Sequence, residues 1–354
     1  MTATVDEGFW AGRRVLVTGH TGFKGAWLTL WLESLGAEVS GLADGVRTDP
    51  SLHALAGGAP GACVDVRDAA GVRDAVRELR PSVVFHLAAQ PLVRRSYGAP
   101  AETFAVNVLG TAHVLDAVRE AGGADAVVVV TSDKCYEPHD AEFGHRETDP
   151  LGGRDPYSAS KAAAEVVCAA YRSSYALPLA TARAGNVIGG GDWGEDRLLP
   201  DVMRAALDGS AVELRSPTAI RPWQHVLNPL AGYLVLAQAL AADRSFADAW
   251  NFGPPVDDAL TVRALVARLA KLWGREIAIA AQRGEHPPES PTLRLDSTRA
   301  RVRLGWRPLW DLDEGLHAIV EWYRAYERGA DLRETTLAQI AAYEAAARRE
   351  EELP

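Results

Sequence analysis

The sequence predicts an α/β protein built on a doubly wound parallel sheet, and three observations carry that prediction. Short apolar runs rich in β-branched residues (Val15-Leu16-Val17, Val83-Val84-Phe85, Ala126 to Val130) alternate with helical patterns, the order that yields a parallel sheet covered on both faces. Gly19, Gly22 and Gly25 fall between the first run and an apolar helical stretch, Ala26-Trp27-Leu28-Thr29-Leu30-Trp31-Leu32. A strand–turn–helix with glycines at that spacing cradles a diphosphate on free backbone N–H groups. Tyr157 and Lys161 stand four residues apart at the head of an alanine-rich helical pattern, so both point to one side of a helix.

Composition narrows the classes of function. The chain has 354 residues, 47% of them hydrophobic and 24% charged, with a net charge of −10. That balance suits a large soluble core and argues against nucleic acid or an anionic membrane as partner. Cys63, Cys135 and Cys168 show neither metal-ligand spacing nor an even-numbered disulfide set, so no metal is expected and a reducing compartment is. The stretch Met1 to Glu7 is acidic and lacks an apolar segment, and no run reaches membrane-spanning length. Cytoplasmic location is the expectation.

In chain order, Arg13 to Thr18 reads as the first strand, and the turn Gly19-His20-Thr21-Gly22-Phe23-Lys24-Gly25 supplies the cofactor contacts expected from Gly19, Thr21, Gly22, Phe23, Lys24 and Gly25. The strand Glu38 to Ala43 ends at Asp44, at the distance expected of a carboxylate on the adenosine ribose. A further short strand, Cys63-Val64-Asp65-Val66, offers Asp65 and Val66 to the adenine. An amphipathic helix over Asp68–Leu79 leads to the strand Ser82 to Leu87, with His86 packed inside. Leu87, Ala88 and Ala89 are then small or apolar enough for a dinucleotide to lie over the strand end. The helix Ala101–Glu120 carries Asn107, expected to hydrogen-bond toward the neighbouring strand and grouped with the cofactor site. After Ala126–Val130 come Thr131-Ser132-Asp133-Lys134, at a strand's carboxyl end, where ligands lie in open α/β sheets. Free Tyr and Lys titrate near 10 and 10.4, and bringing a phenol into a useful range takes roughly 4 kcal/mol of favourable interaction. Lys161 and a cationic nicotinamide ring together could supply it.

These residues carry a family resemblance. Gly19-x-x-Gly22-x-x-Gly25 with Tyr157-x-x-x-Lys161 resembles the extended short-chain dehydrogenase/reductase superfamily, which implies a Rossmann sheet and NAD. Within it, the glycine turn, Ala88-Ala89-Gln90-Pro91-Leu92-Val93-Arg94, Thr131-Ser132-Asp133-Lys134-Cys135-Tyr136, Asp155-Pro156-Tyr157-Ser158, Gly185 to Trp193 and Arg221-Pro222-Trp223-Gln224-His225-Val226 resemble the CDP-glucose 4,6-dehydratase family. The Ser-Asp-Lys triplet separates that group from relatives that carry Thr-Asp-Glu there. The resemblance implies a nucleotide-sugar substrate and a reaction in which Tyr157, supported by Lys161, takes the C4 hydroxyl proton as C4 gives hydride to NAD. Ser132 then holds that oxygen, Lys134 is the base at C5, and Asp133 is the acid for the departing C6 hydroxyl. Hydride finally returns to C6. Gln90 and Arg94 join the substrate contacts on the same ground.

Beyond Ala184 the chain changes character. Residues 10–185 are expected to form the NAD-binding domain, with about 222–250 returning to it. A smaller interleaved substrate lobe is expected over 186–221 and 251–330, and a solvated helical tail over 331–354. A diphosphate substrate calls for bidentate arginines, and Arg197, Arg221 and Arg294 are the candidates, with Asn186 and Asn251 as amide partners. Helices 101–120 and 156–175 are apolar on more than one face, which suits a homodimer built as a four-helix bundle.

Overall fold

The computed structural model describes residues 4–138, 143–255, 259–280 and 294–351. Strands β1 (Arg14–Thr18), β2 (Glu38–Ala43), β3 (Gly61–Cys63), β4 (Val83–His86), β5 (Ala126–Val130), β6 (Leu179–Arg183) and β7 (Ala249–Asn251) form one sheet. Their order is β7-β6-β5-β4-β1-β2-β3, with every pairing parallel. The order reverses between β1 and β4, the place where such sheets open a crevice at their carboxyl edge.

The longer helices are α1 (Phe23–Ser34), α2 (Ala69–Leu79), α3 (Gly110–Ala121), α4 (Pro156–Tyr175), α5 (Leu198–Asp208), α6 (Leu227–Ala242), α7 (Val262–Trp273), α8 (Leu312–Glu327) and α9 (Leu332–Glu351). Alternation along the strands sorts side chains into two cores. Val15, Val17, Val83, Phe85, Val128 and Ala182 pack with α1 and α6, whereas Leu16, Val84, Val127 and Val129 pack with α2, α3 and Cys168 of α4. Helix α1 buries Trp27, Leu28, Leu30, Trp31 and Leu32 because it is covered on nearly every side. Sequence-level caps set several starts: Asp68 for α2, Asp155 for α4, Thr261 for α7, and a reciprocal Asp311/Glu314 box for α8.

Some expectations are corrected. The helix over 101–120 is three pieces, Pro100–Phe104, a π-helical turn Ala105–Leu109, and α3. The wide turn re-aims Asn107 inward, where its amide finds partners. The segment 45–60 contains a short helix, Leu52–Leu55, capped by Ser51. Helix α9 is not a solvated tail: Thr336, Ile340 and Tyr343 are buried, Trp31 Nε1 donates to Glu344 at 2.7 Å and Tyr343 donates to Asn228 at 3.0 Å. Residues 352–354 of the expected tail lie outside the described residues. Residues 227–251 supply α6 and β7 to the sheet, and short strand pairs 187–188 with 224–225, 220–222 with 259–261, and 212–213 with 279–280 build the region beside its carboxyl edge. Among the described residues no helix is long and apolar enough to cross a membrane.

His86 packs inside, its ring between Thr18 Oγ1 at 2.7 Å and Thr111 Oγ1 at 3.1 Å. Burial, and secondarily the Lys161 charge, pushes it down to about 3, and burial does the same to His225. Both folded values lie below the free imidazole value of 6.5, so the unfolded chain binds the extra protons. Their contribution is complete above pH 6.5 and drains away as pH falls toward 3. The melting temperature should therefore drop between pH 7 and pH 5 and drop less in His86→Gln; identical drops in a pair of thermal melts would rule His86 out as a source.

Candidate active site

Four strand ends meet at one edge of the sheet: Gly19 after β1, Ala88 after β4, Ser132 after β5 and Ala184 after β6. Ser132 caps a single 3₁₀ turn, Asp133–Cys135, its Oγ accepting from the Lys134 backbone N–H at 3.2 Å and donating to Asp133 Oδ1 at 3.0 Å. The Asp133 carboxylate is buried directly over Gly185, where any Cβ would lie 1.7 Å from its Oδ2. Helix α4 presents Tyr157 to the same place. The phenol is hydrogen-bonded to Ser132 and feels the Asp133 charge, so phenol, hydroxyl and carboxyl group share one side of the sheet. Lys134 follows in the same turn.

The electrostatics refine the sequence reading of Tyr157. Burial pushes the phenol up to about 12; the Ser132 hydrogen bond and Arg197 lower it, and Asp133 raises it. The expected lowering is therefore not a property of the protein alone, because desolvation of the phenolate outweighs its neighbours. Lys161 is buried too, donating to the Val130 carbonyl at 3.2 Å. Burial pulls it down to about 8 against the Glu165 charge, which holds it up.

The glycine turn makes a close cradle. A Cβ on Gly25 would meet the Gly19 carbonyl oxygen at 2.2 Å, and one on Gly19, whose φ is +73°, would meet the Ala88 nitrogen at 2.7 Å. Gly22 heads α1 without a side-chain cap, which leaves the first N–H groups of the helix for a diphosphate. Lys24 is pulled down to about 7 by burial and then by Lys161 and Arg197, with Asp133 and Asp192 opposing. Cations thus crowd at the point where phosphate charge is expected. Phe23 touches Gly189, and Leu87 lies against the Gly19 approach. Thr21 turns away, donating to the Gly45 carbonyl at 2.7 Å, and so ties the turn to the end of β2. Asp44 is ion-paired with Arg47, and Asp65 with Arg67, which holds the Asp65 carboxyl below its usual range. Asp65 follows β3 rather than lying in it. Val66 packs under Gly110, and Ala89 is half-buried beside Ala88.

Three of the residues expected at the site make hydrogen bonds within the protein. Asn107 accepts from the Gln90 backbone N–H at 2.8 Å and donates to the Gln90 carbonyl at 3.1 Å and to Ser160 Oγ at 2.8 Å, clamping the loop after β4 to α4. Gln90 donates to the Leu92 carbonyl and Thr103 and accepts from the Leu92 N–H. Asn251 accepts from Tyr136 at 2.7 Å and donates to the His145 and Asp296 carbonyls. These bonds tie together the loops around the site. The other substrate candidates differ. Asn186 sits at φ +38°, and among the described residues its buried Nδ2 and the buried Nε of Arg294 have no hydrogen-bond partner. Arg197 pairs with Asp192 at 3.2 Å. Arg221 is buried, with Nη1 on the Ile220 carbonyl at 3.0 Å. Arg94 pairs with Asp196 at 2.9 Å, and Arg215 reaches the same carboxylate at 2.6 Å.

Residues the sequence reading passed over complete the site. His20 fills the space over Gly41 and Gly61. Ser96 accepts from the Tyr157 backbone N–H at 3.1 Å, holding the start of α4. Glu165 accepts from Thr131 at 2.5 Å, Thr181 at 2.8 Å and Arg183 at 2.7 Å. The spacing of Glu165 from Lys161 was visible; its partners come from other elements.

Residues 15–253 match the NAD dependent epimerase/dehydratase family. The chain is 46% identical, over 98% of its length and 100% of the relative's, to a CDP-glucose 4,6-dehydratase of Salmonella typhimurium. Among solved structures, the UDP-glucose 4-epimerase of Thermus thermophilus in complex with NAD is similar at a TM-score of 0.77 and 29% identity, covering 88% of this chain and 99% of that one. A dTDP-glucose 4,6-dehydratase of Streptomyces venezuelae, solved with NAD and TYD bound, reaches 0.77 at 26% identity, covering 90% of this chain and 99% of that one.

The cradle makes a direct prediction. Gly25→Ala must push the turn off the Gly19 carbonyl, and titration with NAD should show affinity at least about tenfold weaker, near 1.4 kcal/mol, with the fold retained. Unchanged affinity would mean that the dinucleotide does not lie on this turn.

Proposed function

The chain belongs to the NAD dependent epimerase/dehydratase family, and on that premise we propose that it removes water from CDP-glucose to give CDP-4-keto-6-deoxyglucose. It is a sugar-nucleotide dehydratase, a lyase in its net reaction. The observation that carries the reading is the meeting of Asp133 with Ser132 and Tyr157 at the end of β5. Oxidation at C4 needs only a base and a hydroxyl that holds O4; a carboxyl group beside them has work to do only when a C6 hydroxyl must leave. The kinship with the Salmonella enzyme supports cytosine as the base.

NAD, when bound, supplies the hydride acceptor at C4 and the donor at C6. Gly19, Gly22 and Gly25 leave room for its diphosphate, and Lys24 lends charge. Tyr157 Oη takes the O4 proton while Ser132 Oγ holds that oxygen. Lys161 keeps positive charge beside the phenol. Once C4 is a ketone the C5 proton is acidic, and Lys134 takes it. Asp133, in its carboxylic acid form, gives a proton to the departing O6, so the elements lost are those of one water, and Lys134 returns a proton to C5 as hydride enters C6. Asn186, Arg197, Arg221 and Arg294 are the groups we assign to the substrate diphosphate, Asn186 and Arg294 because buried N–H groups there lack partners among the described residues. Typical losses for a missing general acid or base are about 10²- to 10⁴-fold.

The exposed apolar residues Tyr97, Phe104, Leu109, Val166 and Tyr175 lie on the 93–109 segment and α4. They support a homodimer formed by packing these helices against their copies. Free cysteines at 63, 135 and 168 fit use in the cytoplasm.

Incubation with CDP-glucose in D₂O should give a 4-keto-6-deoxy sugar bearing deuterium at C5, seen by NMR; a C4 epimer, or no product, would defeat the proposal. In rapid mixing, Tyr157→Phe should abolish the NADH absorbance. Lys134→Ala should still develop it yet stall before elimination, and wild-type progress in that variant would remove Lys134 from the base role.

A further inference from the structure

We propose that Glu165 is a positioning residue for proton transfer at Tyr157: its carboxylate is the counter-charge of Lys161 and, with Arg183, it holds both ends of the turn carrying Ser132, Asp133 and Lys134. The proposal rests on Tyr157 and Lys161 being the proton-handling pair.

Glu165 lies one helical turn beyond Lys161 on α4, and both are buried, at 4% and 6% exposure. Oε1 accepts from Thr131, the residue immediately before the turn, at 2.5 Å. Oε2 accepts from Arg183 at 2.7 Å and Thr181 at 2.8 Å. Arg183 in turn donates through Nη1 to the Tyr136 hydroxyl at 2.8 Å, just past the turn, and Tyr136 donates to Asn251. One ion pair therefore grips residue 131 from one side and residue 136 from the other, while its acid belongs to the helix that carries Tyr157. Burying two charges is rarely repaid in stability alone, and hydrophobic side chains of similar volume would fill the space without fixing the turn.

The titratable groups bearing on Lys161 come from several elements: Glu165 and Cys168 of α4, Cys135 of the turn, His86 of β4 and Lys24 of α1. His86 is neutral and the thiols are held protonated by burial, which leaves Glu165 as the anion of this group. Burial opposes ionisation of Glu165, but the Arg183 charge and the hydrogen bonds from Arg183, Thr131 and Thr181 outweigh it. Removing the Glu165 charge would leave Arg183 and Lys161 buried without the anion that acts on both, and Lys161 would release its proton at lower pH.

The test compares Glu165→Gln, Glu165→Asp and Thr131→Val with wild type in rapid-mixing measurements of NADH formation across pH. Glu165→Gln should move the alkaline limb down by about one pH unit or more. Thr131→Val and Glu165→Asp, which keep the charge, should slow the step about tenfold or more with the limb in place. In protein stripped of nucleotide, the pH dependence of Lys161 acylation, read by peptide mass spectrometry, should move down in Glu165→Gln alone. A folded Glu165→Gln protein with the wild-type limb and labelling profile overturns the proposal. Should that variant fail to fold, wild-type rates in both Glu165→Asp and Thr131→Val overturn it. Tyr157→Phe, run beside them, separates the premises: NADH formation persisting there refutes the role of Tyr157 itself, whatever Glu165 does.

Discussion

Glu165 and Arg183 bury opposite charges 2.7 Å apart between α4 and the sheet, and the way each spends its remaining hydrogen bonds decides where the reactive groups stand. Neither charge can be left alone in that interior without a penalty of several kcal/mol. The helix, β6, and the residues flanking the 133–135 turn are therefore compelled to keep one mutual arrangement. Asn107 performs the neutral counterpart of this task, fastening the loop after β4 to Ser160. Between them the two clamps present Tyr157 and Ser132 to one another at the sheet's carboxyl edge.

The second constraint is close backbone approach. Gly19 and Gly25 bring the cofactor turn against β4 and against itself. On its other side the turn meets the 186–193 segment: Phe23 touches Gly189, and Trp27 donates to the Gly190 carbonyl at 2.9 Å. Gly190 is in turn roofed by Trp322 of α8, and Tyr323 donates to the Asp192 carbonyl at 2.6 Å. The segment following β6, which carries Asn186 and Arg197, is thus wedged between the helix of the glycine turn and the C-terminal part of the chain. Arg197 of this segment is itself held by Asp192 at 3.2 Å, so the segment's charges as well as its backbone are fixed beside α1.

Much of this was legible before any coordinates. Runs of β-branched residues marked β1, β4 and β5, the glycine spacing marked the cofactor turn, and a Tyr and Lys one helical turn apart had to share a face. What escaped depended on partners remote in sequence. Glu165 beside Lys161 reads as an ordinary helical ion pair in water, and Arg183 as a strand-end charge; only the sheet order brings Thr131 and Thr181 to the same carboxylate. The internal partners of Gln90 and Asn251, the Leu92 backbone and Thr103 for one and Tyr136 with the His145 and Asp296 carbonyls for the other, had no local signal either. Helix α9 disguised its buried stripe, Leu332, Thr336, Ile340 and Tyr343, among alanines and charges. The π-helical turn at 105–109 had no local signal, since its cause is the inward demand of Asn107.

The raised value of Tyr157 is instructive because the sequence expectation counted on a cationic nicotinamide as well as Lys161. Within the protein the phenol is held near 12 by burial, and the one charged amine on its helix face is itself weakened to about 8. A base prepared in advance would need a cation held permanently beside it, at the cost of burying another charge. Here the missing positive charge can arrive with the oxidised nicotinamide and disappear when that ring is reduced. Tyr157 would then be a good acceptor for the O4 proton while C4 is being oxidised, and a poor acid afterwards, holding its proton through the elimination. Proton affinity and redox state would be linked through one buried phenol, which would favour release of that proton when hydride passes to C6.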